Sequence, residues 1–186
     1  MDAASKFPYH AAMTACTNIE IKARCADLDR IRAILHSLGS DLRGIDHQVD
    51  TYFRVPRGRL KLRQGRLENQ LIFYERPDDS GPRRSDVRLF PCPDGDALRG
   101  LLTAALGVLV TVDKQREIHF LGNVKIHLDT LAGLGTFVEI EAIDTDGTRS
   151  PTVLLAQCEH FMNLFGISET DLVPQSYSDL LLPAAS

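Results

Sequence analysis

The chain of 186 residues has no tryptophan, only four cysteines and no long apolar run. The cysteines (Cys16, Cys25, Cys92 and Cys158) show no CxxC spacing, so we expect free thiols in a reducing cytoplasm. Because no segment is apolar for long enough to cross a bilayer as a helix, we predict no association with a membrane. The first residues lack the basic start and apolar core of a signal peptide, and we expect residues 1–17 to form a poorly ordered tail.

The sequence also has no overall excess of basic residues and no glycine-rich phosphate-binding loop. The formal net charge is −4, which argues against a general nucleic-acid binder. Neither GxxxxGK[ST] nor GxGxxG occurs in the chain. A phosphate ligand would therefore have to be held by charged side chains.

The segment 137–142, FVEIEA, has the composition of a β-strand with one acidic face and one apolar face. Alternate side chains of a strand share a face, so Glu139 and Glu141 point the same way, about 7 Å apart. Val138 and Ile140 point to the opposite side, which we expect to be buried. The acidic face must be solvated, paired with cations or bound to a metal. Segments 19–22, 59–63 and 125–129 repeat this alternation of charged and apolar residues.

Hairpins dominate the predicted secondary structure. We predict strands at 18–24, 41–55 with a bulge near Gly44, 59–64, 67–76, 83–90, 108–120, 124–130 and around 137–141. Helices are predicted from Asp27 to about Leu38, over 95–106 with Leu98, Leu101, Leu102 and Ala105 buried, and from Ser150 to Phe165. This order favours one mainly antiparallel α+β domain over residues 18–182, in which about eight strands could close as a barrel.

The charged faces of these strands allow two interpretations. One is an open sheet with helices on its apolar face and its charges in water. The other is a binding surface for a polyanion, which the abundance of arginine favours because guanidinium groups make forked contacts with phosphate. Carboxylates beside such a ligand would hold Mg²⁺ or Mn²⁺ rather than zinc. His127 shares a face with Lys125 and Asp129. Three roles are open for it: a general base, a metal ligand or a simple hydrogen-bonding group.

A series of motifs resembles a known family. The segments NIEIKAR, DTYF, GRLKLR, LIFYERPD, GPRRSD, DKQREI, VKIHLD, GLGTFVEIEA and SYSDLL occur in this order over residues 18–182. Together they resemble the CYTH family, also called triphosphate tunnel metalloenzymes, and within it the class IV adenylate cyclase-like branch. The resemblance implies a closed eight-stranded antiparallel β-barrel with helices packed outside and a charged tunnel. Such proteins bind ATP, thiamine triphosphate or inorganic triphosphate with Mg²⁺ or Mn²⁺.

Matching the family motifs residue by residue implies roles for individual side chains. The metal ligands are Glu20, Glu139 and Glu141, with Asp129 near the metal. We further predict that Lys22, His127 and Asp129 are catalytic residues. The triphosphate contacts are Lys22, Arg59, Lys61, Arg63, Lys114 and Arg116, joined by Arg76, Arg83 and Lys125, which match the motifs less closely. One departure is that Asn18 stands where the family has glutamate, so this position carries no charge.

The resemblance leaves several activities open. An adenylate cyclase-like enzyme converts ATP to cyclic AMP and pyrophosphate, whereas a triphosphatase hydrolyses inorganic or thiamine triphosphate. A non-catalytic triphosphate-binding module is the third alternative, which the neutral Asn18 favours. We also consider a homodimer and expect a cytoplasmic protein.

Overall fold

The computed structural model describes residues 13–77, 79 and 81–182, so residues 1–12 of the predicted tail lie outside the described residues. The strands are β1 Thr14–Arg24, β2 Asp41–Phe53, β3 Arg59–Gln64, β4 Gln70–Glu75, β5 Arg83–Pro91, β6 Val108–Leu121, β7 Val124–Leu131 and β8 Gly135–Asp144. The helices are α1 Leu28–Ser37, α2 Gly95–Leu106, α3 Pro151–Phe165 and α4 Tyr177–Leu181, with a 3-10 turn at Glu169–Asp171 before α4.

The eight strands close into one antiparallel barrel, as the resemblance implies. Their order around the barrel is β1-β5-β4-β3-β2-β6-β7-β8. The first strand closes it, because β1 pairs with β5 on one side and with β8 on the other. Alternation along each strand then sends one set of side chains into the interior and the other set outward.

The main apolar core lies outside the barrel, between its wall and two helices. Ile21 of β1 and Ile140 of β8 point outward and belong to one buried cluster with Leu35 of α1 and Cys158 and Phe165 of α3. The predicted N-caps of both helices are confirmed: the side chains of Asp27 and Ser150 accept hydrogen bonds from backbone N–H groups in the first turns of α1 and α3. With the apolar side chains outside, the charged faces of the same strands point into the barrel.

The strands β1 and β4 do not begin where the sequence predicted. The first strand begins at Thr14 rather than at residue 18, because Thr14 to Thr17 continue the ladder with β5. The fourth strand spans only Gln70–Glu75 rather than 67–76. Its predicted beginning is instead a loop that the buried carboxylate of Asp46 holds by accepting the backbone N–H groups of residues 66, 67 and 68.

The helix α2 has the predicted limits but a different buried face. Leu101, which we predicted to be buried, is 66% exposed, and Ala105 is exposed too. The side that packs on the barrel consists of Leu98, Leu102 and Leu106 at four-residue spacing. Within the described part of the chain, no helix is long and apolar enough to cross a membrane.

The C-terminal segment lies across one end of the barrel. The backbone N–H of Val173 donates to the carbonyl of Lys22 in β1, and the carboxylate of Asp179 pairs with Arg59 at the start of β3, 3.0 Å away. Between these contacts Ser176 forms a capping box at the start of α4. This arrangement places the ring of Tyr177 against the barrel interior, 5.1 Å from the ring of Phe137.

Candidate active site

The barrel interior collects the charged residues that the sequence singled out. A cavity of about 860 Å³, including its open mouth, lies inside the barrel. Predicted site residues that line it are Glu20, Lys22, Lys61, Arg63, Arg76, Lys114, Arg116, Lys125, His127, Glu139 and Glu141. Arg59, Arg83 and Asp129 lie beside these residues, in ion pairs with Asp179, Glu20 and Arg116.

Two rows of side chains cross the strands β1, β8 and β7 on the inner face. Glu139 lies opposite Lys22 on one side and opposite His127 on the other. One pair further along β8, Glu141 lies opposite Glu20 and Lys125. Residues directly opposite in antiparallel strands approach closely enough to interact, and Lys22 Nζ is 3.2 Å from Glu139 Oε1. The strand register therefore determines which acidic and basic side chains meet.

A group with metal-ligating chemistry forms where these rows meet. His127, Glu139 and Glu141 each offer a ligand atom, and these atoms lie within 4.8 Å of one another. Among the described residues, neither ring nitrogen of the buried His127 has a hydrogen-bond partner, although Nδ1 is 3.4 Å from Glu139 Oε2. A buried imidazole without a partner beside two carboxylates fits a divalent cation.

The electrostatics of this group keep its imidazole neutral. Burial, reinforced by Arg116 and Lys125, lowers the pKa of His127 to about 3. Burial and the neighbouring carboxylates of Glu20 and Glu139, opposed by Lys125, raise the pKa of Glu141 to about 7. Burial would also raise the pKa of Glu139, but Arg116 and Lys22 lower it well below its usual range.

Three predicted phosphate contacts share one buried carboxylate that the sequence analysis did not assign. Asp50 Oδ2 accepts from Lys61 at 2.9 Å and from Lys114 at 2.8 Å, and Arg63 donates to both carboxylate oxygens. Burial would raise the pKa of Asp50, but these three cations hold it well below its usual range. Burial, together with repulsion from Arg116 and Arg63, lowers the pKa of Lys114 to about 7. The negative charge of Asp50 raises this pKa but does not compensate.

Asp129, predicted to lie near the metal and to take part in catalysis, has other partners. Arg116 donates to both of its oxygens, and Tyr177 Oη donates to Oδ2 at 2.8 Å. Arg116 also reaches Glu139 Oε2. The fully buried Asp129 carboxylate thus fixes Arg116 and lies outside the group of His127, Glu139 and Glu141.

Glu20, a predicted metal ligand, also lies outside that group. Its carboxylate accepts from Arg76 and lies 3.7 Å from Arg83 Nε. The cross-strand pairing with Glu141 nevertheless keeps Glu20 next to the group. The two arginines that matched the family motifs less closely therefore lie inside the barrel with the others.

Glu68 and Tyr177 are further interior residues that sequence reasoning missed. Glu68 reaches inward from the loop between β3 and β4, where it accepts from Arg63 at 2.7 Å and pairs with Lys125. Lys22 Nζ lies 3.8 Å from the centre of the Tyr177 ring. No strand periodicity applies to a loop or to a terminal turn, so the sequence held no positional signal for either. For Asp50 the sequence did hold a positional signal, because Asp50 and Tyr52 are two residues apart in β2 and therefore share its inner face.

Comparison with known proteins agrees with this architecture. Residues 17–177 match the CYTH domain. Adenylate cyclase CyaB of Aeromonas hydrophila is 26% identical over 170 residues, which cover 87% of each chain. The PH1012 protein of Pyrococcus horikoshii is 25% identical with a TM-score of 0.76, over 89% of this chain and 99% of that chain. A Hippeastrum protein with a dominant triphosphatase activity is 14% identical with a TM-score of 0.57, over 89% of this chain and 93% of that one. Because the domain match extends over most of the chain, this protein belongs to the CYTH domain family.

Proposed function

We propose that the protein is a divalent-metal-dependent enzyme acting on a triphosphate held inside the barrel, with ATP cyclisation to cyclic AMP and pyrophosphate as its first candidate reaction. The observation that carries this proposal is the convergence of buried arginine and lysine side chains with a carboxylate–imidazole group in one cavity. The similarity to the Aeromonas adenylate cyclase supports cyclisation over other triphosphate chemistry.

The cations around Asp50 form the first part of the proposed phosphate site. Arg63 offers a planar guanidinium suited to two phosphate oxygens, while Lys61 and Lys114 act as point charges. Their shared carboxylate offsets their mutual repulsion in the absence of ligand. Burial strengthens each contact with an anion, because little water screens it.

The second part of the site is formed by Lys22 and Arg116, which contact Glu139; Arg116 follows Lys114 on the inner face of β6. We assign these two cations to offsetting charge on the leaving phosphate group. Asp129 and Tyr177 hold Arg116 in place, so we now assign Asp129 a positioning role. Arg59, Arg76, Arg83 and Lys125 extend the cationic surface toward the two ends of the barrel.

The residues that we assign to a Mg²⁺ or Mn²⁺ ion are His127, Glu139 and Glu141, with Glu20 beside them. Such an ion would neutralise charge on the phosphate oxygens. His127 suits this role because its neutral ring keeps a lone pair at physiological pH. The alternative role of His127, accepting a proton from the attacking hydroxyl, is less favourable, because a group with a pKa of about 3 is a weak base at neutral pH.

Hydrolysis of a triphosphate is the second candidate reaction. A cationic interior serves attack by water on the terminal phosphorus as well as attack by the ribose 3′-hydroxyl on the α-phosphorus. A non-catalytic module is the third candidate, since the neutral Asn18 reduces the acidity of the first strand.

One assay separates the three candidates. The purified full chain is incubated with ATP, inorganic triphosphate or thiamine triphosphate, each with Mg²⁺ or Mn²⁺ or with a chelator. Metal-dependent formation of cyclic AMP and pyrophosphate is expected. Release of orthophosphate would identify a triphosphatase, and tight binding without product would identify a binding module. Absence of binding by every triphosphate would overturn the proposal.

A further inference from the structure

One side of the barrel cavity is uncharged. The strands β1, β4, β5 and β8 contribute a continuous patch, here called the neutral wall, formed by Asn18, Ile72, Ser85, Val87, Leu89 and Ile143. Strand register makes these residues neighbours: Asn18 lies opposite both Ser85 and Ile143, and Ile72 lies opposite Leu89. All six line the same cavity as the charged residues.

Two polar atoms of the neutral wall are buried without a partner. Asn18 is 4% exposed and Ser85 is 1% exposed. In the part of the chain that the structure describes, Asn18 Oδ1 and Ser85 Oγ make no hydrogen bond. An unsatisfied buried polar group destabilises a fold, so a partner such as a ligand is needed to explain why these two are retained.

The apolar members of the wall keep accessible surface toward the cavity. Val87, Leu89 and Ile143 are only half-buried, although they point into the barrel. A site for inorganic triphosphate alone would need no apolar surface, because every part of that ligand is anionic. Apolar side chains with a few polar groups are typical of pockets for organic ligands.

We propose that the neutral wall binds the heterocyclic base of a nucleoside triphosphate, an inference that rests on the proposed triphosphate site. The amide of Asn18 and the hydroxyl of Ser85 would form hydrogen bonds with the edge of the base, and Ile72, Val87 and Leu89 would contact its face. A glutamate at position 18 would put a charge against the ring, so the asparagine suits an uncharged ligand.

The position of the wall relative to the carboxylates agrees with this ligand. Ile143 follows Glu141 on the inner face of β8, two residues and about 7 Å further along the strand. Asn18 stands in the same relation to Glu20 on β1. A base on the wall would thus lie next to a triphosphate bound at the charged residues, with the ribose between them. The cationic thiazolium ring of thiamine triphosphate fits less well, because the six residues of the neutral wall include no carboxylate to pair with its charge.

The test compares the affinities of three ligands in the absence of metal, so that turnover does not interfere. Calorimetry of the full chain with a chelator measures Kd for ATP, inorganic triphosphate and thiamine triphosphate at one salt concentration. We expect ATP to bind at least about tenfold more tightly than the other two. Equal affinities for ATP and inorganic triphosphate, or tighter binding of thiamine triphosphate than of ATP, would overturn the inference.

Two variants test whether the neutral wall causes the preference for ATP over inorganic triphosphate. Val87→Phe fills the space for the base and is expected to weaken ATP binding at least about tenfold, with inorganic triphosphate within about twofold. Asn18→Leu removes the amide at similar size and is expected to reduce the preference for ATP without the bulk of the first variant. The matched control is Arg88→Ala, on the outer face of the same strand. Circular dichroism verifies that each variant is folded.

The outcomes separate this inference from the proposed function. Intact binding of inorganic triphosphate without a preference for ATP overturns the base site alone. If the wild-type protein binds none of the three ligands, either with the chelator or with Mg²⁺ or Mn²⁺, the triphosphate site is overturned as well. Equal weakening of ATP and inorganic triphosphate by Val87→Phe would show that the wall does not contact the base specifically.

Discussion

Charged side chains inside the barrel neutralise one another in the absence of a ligand. Asp50 is shared by three cations, and Glu139 contacts Lys22 and Arg116. Breaking such a buried pair is more destabilising than breaking an exposed one, because the remaining charge stays out of water. Single substitutions at these positions therefore have predictable effects on stability and on binding.

Glu139→Gln is expected to lower metal-dependent turnover by about 100-fold or more, since it removes one charge from the proposed metal ligands. Steady-state assays with Mn²⁺, together with a Mn²⁺ binding isotherm, measure the effect. The control is Glu159→Gln on the exposed side of α3. Unchanged turnover in Glu139→Gln would remove this residue from the proposed site.

Asp50→Asn is expected to lower the free energy of unfolding by about 3–5 kcal/mol, because Lys61, Arg63 and Lys114 lose their shared counter-charge. Urea denaturation measures the loss. Asp113→Asn is the matched control, since this exposed carboxylate pairs with the exposed His47 and should change the free energy by no more than about 0.5 kcal/mol. Saturating inorganic triphosphate should stabilise Asp50→Asn more than the wild type, and similar stabilities of the two variants would contradict the argument.

Binding of triphosphate is expected to take up protons at pH 8 through Lys114. The pKa of this residue is about 7 in the unliganded protein, so it is mostly neutral at pH 8, and a nearby phosphate raises its pKa. The affinity contributed by Lys114 is therefore complete below pH 7 and decreases as the pH rises above it.

Calorimetry in buffers of different ionisation enthalpy measures this proton uptake. On binding triphosphate at pH 8, the wild type should take up more protons than Lys114→Met, by at most about one per molecule. The difference should disappear at pH 6, where Lys114 is already protonated. Identical uptake by the two proteins at pH 8 would show that Lys114 stays charged without ligand.

At the scale of elements, the loop between β3 and β4 supplies a competing anion. Glu68 in this loop contacts Arg63 and Lys125, both proposed phosphate contacts. Burial would raise the pKa of Glu68, but Arg63 and Lys125 lower it well below its usual range, so it is ionised at neutral pH. A triphosphate entering this part of the cavity must displace the carboxylate.

Glu68→Gln is expected to tighten the binding of inorganic triphosphate about tenfold, equivalent to the removal of about 1.4 kcal/mol of competing attraction. Competition calorimetry measures the change at constant salt. Glu75→Gln is the control, because this exposed side chain of β4 points outward. Weaker binding by Glu68→Gln would instead assign Glu68 a supporting role in the site.

At the scale of the whole molecule, closure of the barrel brings together site residues from strands all around its wall. The proposed phosphate contacts come from β1, β3, β5, β6 and β7 and from Arg76, which directly follows β4. A ligand that bridges them stabilises the closed barrel as one unit.

Inorganic triphosphate at about 100 times its Kd is expected to add about 2.7 kcal/mol to the free energy of unfolding. Hydrogen exchange should slow in every strand of the barrel, including β1 and β8. The exposed helix α2 serves as the internal control, since it contacts only the outer face. Protection confined to one loop would contradict binding inside the barrel.

The sequence by itself determined most of the elements and their faces. The limits of β3 and α2, the bulge at Gly44 and the N-caps Asp27 and Ser150 are confirmed, because these features depend on local periodicity and backbone chemistry. Closure into an eight-stranded barrel is also confirmed, although it came from the resemblance of ordered motifs. The buried face of α2 was wrong at Leu101, since that face depends on which strands the helix contacts.

Only the tertiary structure decided which charges meet. Register across β1, β8 and β7 joined His127 to Glu139 and Glu141, and it left Glu20 with Arg76. Strand pairing placed Asp50 opposite Arg63 and Asp129 opposite Arg116, whereas long-range packing brought Lys114 to Asp50 and Tyr177 to Asp129. Periodicity within a strand tells which face a side chain occupies. Its partner is set by closure of the barrel, which brings together residues far apart in the chain.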